Sequence, residues 1–328
     1  MWLRRLAALA AAVALVAGAF ALRDRRQRSS ATPTTPTTPG AGGSTDATAA
    51  KGFTLVCAIE LQALCTDLGK DVTVRIESVS TTAAAFANAA EPRTIATAWL
   101  TVDPWPGLSD LGRADRGTAF AAATTIANSP VGVAVRTPRN ARLAAACGGK
   151  VTLTCVGDKG GASWTDLGGD ASWQVLKPTI LDPTATLYGP ASLAAAVRER
   201  QKDQGLTLIE LQSDDAFVRW QRNFLRSASG TDALAQAVLQ PVYDAVVVPQ
   251  IEFAATAAPS GKFAFEGQSA YAATLVVAPV AGTNVPKAVA DALAANAVKA
   301  GWVAGAALSP SLDANLVAGL QRVWRENA

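Results

Sequence analysis

Hydrophobic and polar positions along the chain fall into short patches that alternate between a strand-like and a helix-like period. Residues 53–59 form a brief apolar strand, and 60–68 repeat Leu61, Leu64, Cys65 and Leu68 at helical spacing. Val72, Val74 and Ile76 alternate with polar neighbours across 71–79, which predicts a second strand. The run Ser78-Val79-Ser80-Thr81-Thr82 then enters the helix-forming AAAFANAA, so Ser80 or Thr81 is the expected N-cap. Residues 94–102 read as a third strand, closed by Asp103-Pro104-Trp105-Pro106-Gly107. Asn128-Ser129-Pro130 precedes a strand over 131–136, whose exit at Thr137-Pro138-Arg139 starts a helix over 140–147.

The segment 173–197 runs from an apolar strand through a Pro/Thr/Gly-rich turn into an alanine-rich helix over 189–201. A polar loop after a strand and before a helix amino terminus is where α/β sheets hold ligands, so 182–189 is one candidate jaw of a cleft. A strand is expected over 206–211 and a helix over 214–227, with Phe217, Trp220 and Phe224 on one side at core spacing. Residues 244–252 read as a returning strand, 272–279 as another, and a long alanine-rich helix starts near Pro286. Repeated βαβ order predicts an α/β fold with a mostly parallel sheet covered by helices on both faces.

The amino-terminal part reads differently. Residues 6–22 are uncharged and rich in Ala, Val and Leu behind Arg4 and Arg5, and Ala19-Phe20-Ala21 fits a small-x-small cleavage rule. The span 1–28 is therefore expected to be a secretory signal peptide or an N-terminal membrane anchor, and 29–51 a Thr/Pro/Gly-rich linker that cannot pack. Either predicts an extracytoplasmic protein, secreted or anchored to the cell membrane by that segment.

Charge and composition narrow the chemistry. The net charge of +3 hides six Arg against Asp24 in residues 1–28, a balance of +5 that leaves −2 for the rest. A near-neutral body gives no reason to expect nucleic acid. The 328 residues contain no histidine, which removes Ser-His-Asp and Cys-His catalysis and any His-ligated zinc site. SxxK and KTG are also absent, and Gly267-Gln268-Ser269-Ala270-Tyr271 lacks the second glycine of a nucleophile elbow. The expectation is a protein that is not an enzyme and has no cofactor and no metal site. The four cysteines form two pairs eight positions apart; in an exported chain three connectivities are open, and the local pairings Cys57 with Cys65 and Cys147 with Cys155 are expected, one in each half of the folded part.

From residue 52 onward the order of features resembles the type II periplasmic or extracellular solute-binding proteins, the receptors of bacterial ABC importers, in a branch with actinobacterial membrane-tethered members. The resemblance is carried by AIELQALCTDLG, SVSTTAAAFANA, ATAWLTVDPWPGL, ANSPVGVAVR, WTDLGGDASWQVLKPTILDPTATLYGPASLAAAV, DAVVVPQIEF and YAATLVVAP, in that order. It implies two α/β lobes, two crossing segments and a ligand cleft between the lobes, with 52–130 and 249–328 forming lobe I and 131–248 lobe II. It further implies a monomer that captures a small polar solute, with an ABC permease as partner. Carried onto this sequence, the family's binding positions are Ala58 and Ile59, then Ser78, Ser80 and Thr81, then Asp103 with Trp105. They continue with Asn128 and Ser129 at the hinge, Asp182, Thr184 and Thr186 on the second lobe, and Pro249 with Gln250 on the return strand. The first loop, Ala58-Ile59-Glu60, is apolar then acidic where an oxyanion receptor presents a hydroxyl, which argues against molybdate or phosphate. No lipid-anchor cysteine adjoins 6–22, so the alternative implied by the resemblance is a membrane-anchored cell-envelope module that keeps the fold without transport, with a von Willebrand-type surface protein as partner.

Overall fold

A computed structural model describes residues 52–113, 116–202, 207–225, 233–305 and 312–327. The expected signal peptide or anchor and the linker lie outside the described residues. Among the described residues no helix is long and apolar enough to cross a membrane.

The molecule is built on a sheet bent around one long strand. β1 (Phe53–Ala58), β2 (Val72–Glu77) and β3 (Ala98–Val102) lie parallel, and β8 (Ala272–Pro279) joins β3 in the antiparallel sense. β4 (Thr124–Arg136) pairs through residues 124–130 with β8, and through 131–136 with β6 (Ala245–Pro249) and β7 (Phe263–Glu266). β5 (Pro178–Ile180) closes the far edge, parallel to β6, and the short β9 (Val303–Ala304) also pairs with β4. The order is β2-β1-β3-β8-β4-β6-β5. The expectation of a mostly parallel sheet is corrected: every partner of β4 is antiparallel. Ala245 at the start of β6 pairs with Val135 and Phe263 at the start of β7 pairs with Arg136, so after the intervening helices the chain re-enters the sheet beside the end of β4 and runs back along it.

Two expectations about local structure also change. Residues 206–211 were expected as a strand; Leu208–Ser213 is a helix, because Thr207 and Glu210 form a reciprocal capping box at its start. The first α-helix, Val79–Asn88, is capped by Ser78 rather than by Ser80 or Thr81. Starting two or three residues earlier puts Val79, Thr82 and Phe86 on one buried face at helical spacing, and burial decides the register.

The remaining helices are labelled in order with Val79–Asn88 as α1. They are α2 (Trp105–Leu111), α3 (Thr137–Ala146), α4 (Leu153–Lys159), α5 (Gly189–Gln201), α6 (Leu208–Ser213) and α7 (Asp215–Leu225). α8 (Ala233–Leu239), α9 (Gln250–Thr256), α10 (Lys287–Lys299) and α11 (Ala314–Asn327) complete the set.

Strand alternation divides the core. On β4 and β6, Val131, Val133, Val135, Ala245 and Val247 face a cluster with Leu143, Trp164, Phe217, Trp220 and Phe224, while Ala134, Val246 and Val248 face the cluster that includes Leu55, Trp99 and Leu275. Phe217, Trp220 and Phe224 are thus core, as their spacing implied. α11 crosses between the halves: Leu320 and Trp324 enter the cluster around Trp220, while the helix also packs on α2. Both disulfides form as expected, Cys57–Cys65 and Cys147–Cys155, with Cα separations of 6.7 and 5.8 Å. The first joins β1 to the 3₁₀ turn Ile59–Cys65 that follows it, and the second joins the end of α3 to α4.

Candidate interlobe solute site

A cavity of about 410 Å³ opens where the two halves of the sheet face each other. From the first half come Glu60 on the turn after β1, and Ser78 and Ser80 at the start of α1. Opposite them lie Leu181, Ala185, Thr186, Leu187 and Tyr188 on the loop between β5 and α5. Leu234 and Ala235 of α8 and Glu252 and Thr256 of α9 complete the wall.

The loop after β5 is held by its own side chains. Asp182 Oδ1 accepts from both the Thr184 N–H and the Thr184 hydroxyl at 2.7 Å. Thr186 Oγ1 donates to the Asp182 carbonyl at 2.7 Å and accepts from the Gly189 N–H at 3.1 Å, so it satisfies the first N–H of α5. At Gly189 a Cβ would lie 2.1 Å from the Asp182 carbonyl oxygen, so the helix must begin on glycine for the loop to fold back this tightly. Two long-range bonds pin the loop from outside: Trp105 Nε1 donates to the Leu187 carbonyl at 3.0 Å, and Gln321 Nε2 to the Pro183 carbonyl at 2.5 Å.

At the opposite wall Ser78 Oγ accepts from the Thr81 N–H at 3.3 Å and donates to Thr81 Oγ1 at 2.7 Å. Glu252 accepts from the Thr256 hydroxyl at 3.0 Å. Tyr188 is 4% exposed, its ring tilted at 42° against Trp302. Burial first, then the charges of Glu252 and Glu60, hold its pKa well above the usual phenol value, so the hydroxyl keeps its proton.

Of the residues singled out in the sequence, the structure brings Ser78, Ser80 and Thr186 together in this cavity. The others have different surroundings. Ala58 is buried in β1, Ile59 is 54% exposed, and Thr81 serves the cap of α1. Asp103 Oδ2 accepts from the Leu312 N–H at 2.8 Å, and Trp105 is 5% exposed within the core. Asn128 is buried in β4, donating to the Gly305 carbonyl and accepting from the Thr274 hydroxyl at 3.1 Å. Ser129 Oγ accepts from the Ile251 N–H at 2.9 Å, fastening the start of α9 to β4. Asp182 and Thr184 build the loop, Pro249 ends β6, and Gln250 accepts from Gln268 at 3.3 Å. Sequence reading missed Glu60, Tyr188, Glu252, Thr256 and the apolar wall as site residues. Tyr188 carried a signal, an amphipathic side chain directly before the Gly189-Pro190 helix start; Leu234 and Ala235 carried none. Among the described residues no group of three His, Cys, Asp or Glu stands ready to hold a metal.

No protein-family model and no curated protein matches this chain. Solved structures do. An ABC transporter structure from Clostridium perfringens superposes with a TM-score of 0.52 at 10% identity, covering 84% of this chain and 98% of that one. Iron-bound HitA from Pseudomonas aeruginosa gives 0.51 at 13% identity, covering 84% and 99%. The periplasmic binding protein AfuA from Actinobacillus pleuropneumoniae, bound to fructose-6-phosphate, gives 0.51 at 14% identity, covering 84% and 96%. The chain therefore has the two-lobed α/β fold of periplasmic binding proteins, with crossing strands between the lobes and a cleft where they meet.

Proposed function

We propose that this protein is an extracytoplasmic solute receptor that captures a small polar ligand between its two lobes and delivers it to an ABC-type importer. The observation that carries this reading is the cavity itself, walled by Glu60, Ser78 and Ser80 on one side and by Thr186, Tyr188 and Glu252 on the other. A ligand in contact with both walls gains interactions only when they approach, and that differential affinity is what drives hinge closure. In this reading lobe I comprises β1 to β3, β8 and β9 with α1, α2 and α10. Lobe II comprises β5 to β7 and the second half of β4 with α3 to α9, and α11 braces both. Two disulfides support an oxidising, extracytoplasmic compartment. The fold shared with an ABC transporter structure and with AfuA supports the importer partnership. A membrane tether through residues 1–51 is part of the proposal.

The test is a thermal-shift screen of the purified full chain against anions, sugars, amino acids, amines and peptides. A ligand at 100 times its Kd stabilises by about 2.7 kcal/mol, and at least one class should do so. No shift across all classes would count against a receptor and in favour of an envelope module that keeps the fold without a ligand.

A further inference from the structure

We propose that the interlobe cavity selects a small organic cation, an ammonium group on a short carbon frame held between Glu60 and Glu252 beside Tyr188. The inference rests on the reading of this cavity as the solute site. Glu60 and Glu252 bring carboxylates to the same space from separate elements, and among the described residues the lining contains no Lys or Arg. Glu60 has no hydrogen bond or ion pair with any described residue, so its charge is available to a ligand.

Tyr188 points the same way independently. It is buried and lines the cavity, yet its hydroxyl has no hydrogen-bond partner among the described residues. The hydroxyl is not among the enclosed side-chain atoms that lack a partner, so it opens on the cavity, where a ligand can take the place of water. Both carboxylates act electrostatically on this hydroxyl, so the three groups share one field. Its lone pairs can accept from an ammonium N–H. An anionic ligand would instead meet two carboxylates at short range. A bare metal ion fits poorly, since about 410 Å³ far exceeds an ion and Leu181, Leu187 and Leu234 supply apolar surface that only a carbon frame uses.

The test is isothermal titration of the purified full chain with choline, putrescine, glucose, acetate, phosphate and ferric ion. The expected result is binding of choline or putrescine and of none of the others, weakened about 10-fold or more in Glu60→Gln, and for putrescine, whose N–H groups the phenol oxygen accepts, also in Tyr188→Phe. Glu60 sits on an exposed turn and Tyr188→Phe removes a single oxygen, so both variants should melt with the parent. Binding of glucose, acetate, phosphate or ferric ion in place of the amines overturns the cation assignment and leaves the receptor reading intact. Amine binding undiminished in both variants overturns the site. Silence from all six probes overturns the cation assignment, and silence from the broad screen as well overturns the receptor reading with it.

Discussion

Breaking the Cys57–Cys65 disulfide should cost both stability and ligand affinity, whereas breaking Cys147–Cys155 should cost stability alone. Each bond closes a loop between residues eight apart, and the entropy that such a loop removes from the unfolded chain is about 2.5 kcal/mol at 25 °C. Paired Cys→Ala variants at either site should therefore lower the melting temperature by an amount on the order of 5 °C. Their positions separate them. The first bond ties buried Cys57 of β1 to the end of the turn that carries Glu60 into the cavity, so its loss frees the carboxylate from a fixed place. The second ties α3 to α4, and neither helix contributes to the cavity wall. Urea unfolding gives the stabilities, and titration with whatever ligand the screen yields gives the affinities. Equal loss of affinity in both variants, or none in the first, would refute the reasoning.

Three further outcomes can be checked directly. Gly189→Ala should displace the loop after β5, because the new methyl would sit 2.1 Å from the Asp182 carbonyl oxygen, and ligand affinity should fall even in molecules that fold. Asp244→Ala should destabilise by about 3–5 kcal/mol, since Asp244 pairs with Arg139, which is stacked near Trp164 and Trp173, and its Oδ2 accepts from the Lys177 N–H at 2.9 Å. Adding Arg139→Met should restore part of that loss in a double-mutant cycle, and a purely additive result would count against a coupled pair. Trp105→Phe leaves the Leu187 carbonyl without its donor at a cost of about 1–3 kcal/mol, and hydrogen exchange should rise in the loop after β5.

What the sequence made legible was local. The helix Gly189–Gln201 has the bounds its Gly-Pro start and polar end imply, and the aromatics of α7 occupy the core their spacing demanded. The two disulfides join the cysteines that stand eight positions apart in the chain, as their spacing suggested. The helix at Leu208–Ser213 was misread because alternating apolar residues there mimic a strand; Ile209 is in fact 77% exposed, and Thr207 with Glu210 carried the true signal. β4 was cut short at Asn128-Ser129-Pro130 because that triplet reads as a turn. In the fold both polar side chains are paired, Asn128 with Thr274 and Ser129 with the Ile251 N–H, so the strand continues through them for 13 residues.

The site itself was only partly legible, and the reason is physical. Hydroxyls beside a helix start are visible in a sequence, but the same groups serve as caps, and here Thr184 is consumed by Asp182 and Thr81 by Ser78. What gives the cavity its character is the meeting of Glu60 with Tyr188 and Glu252, which lie 128 and 192 positions further along the chain by their numbers. That meeting depends on β4 carrying the chain from one half of the sheet to the other, and on Trp105 and Gln321 pinning the loop that ends in Tyr188. Neither fact has a local pattern. The small hydroxyls were thus open to sequence reading, while the pairing of two carboxylates in the cavity lining follows only from the assembled walls.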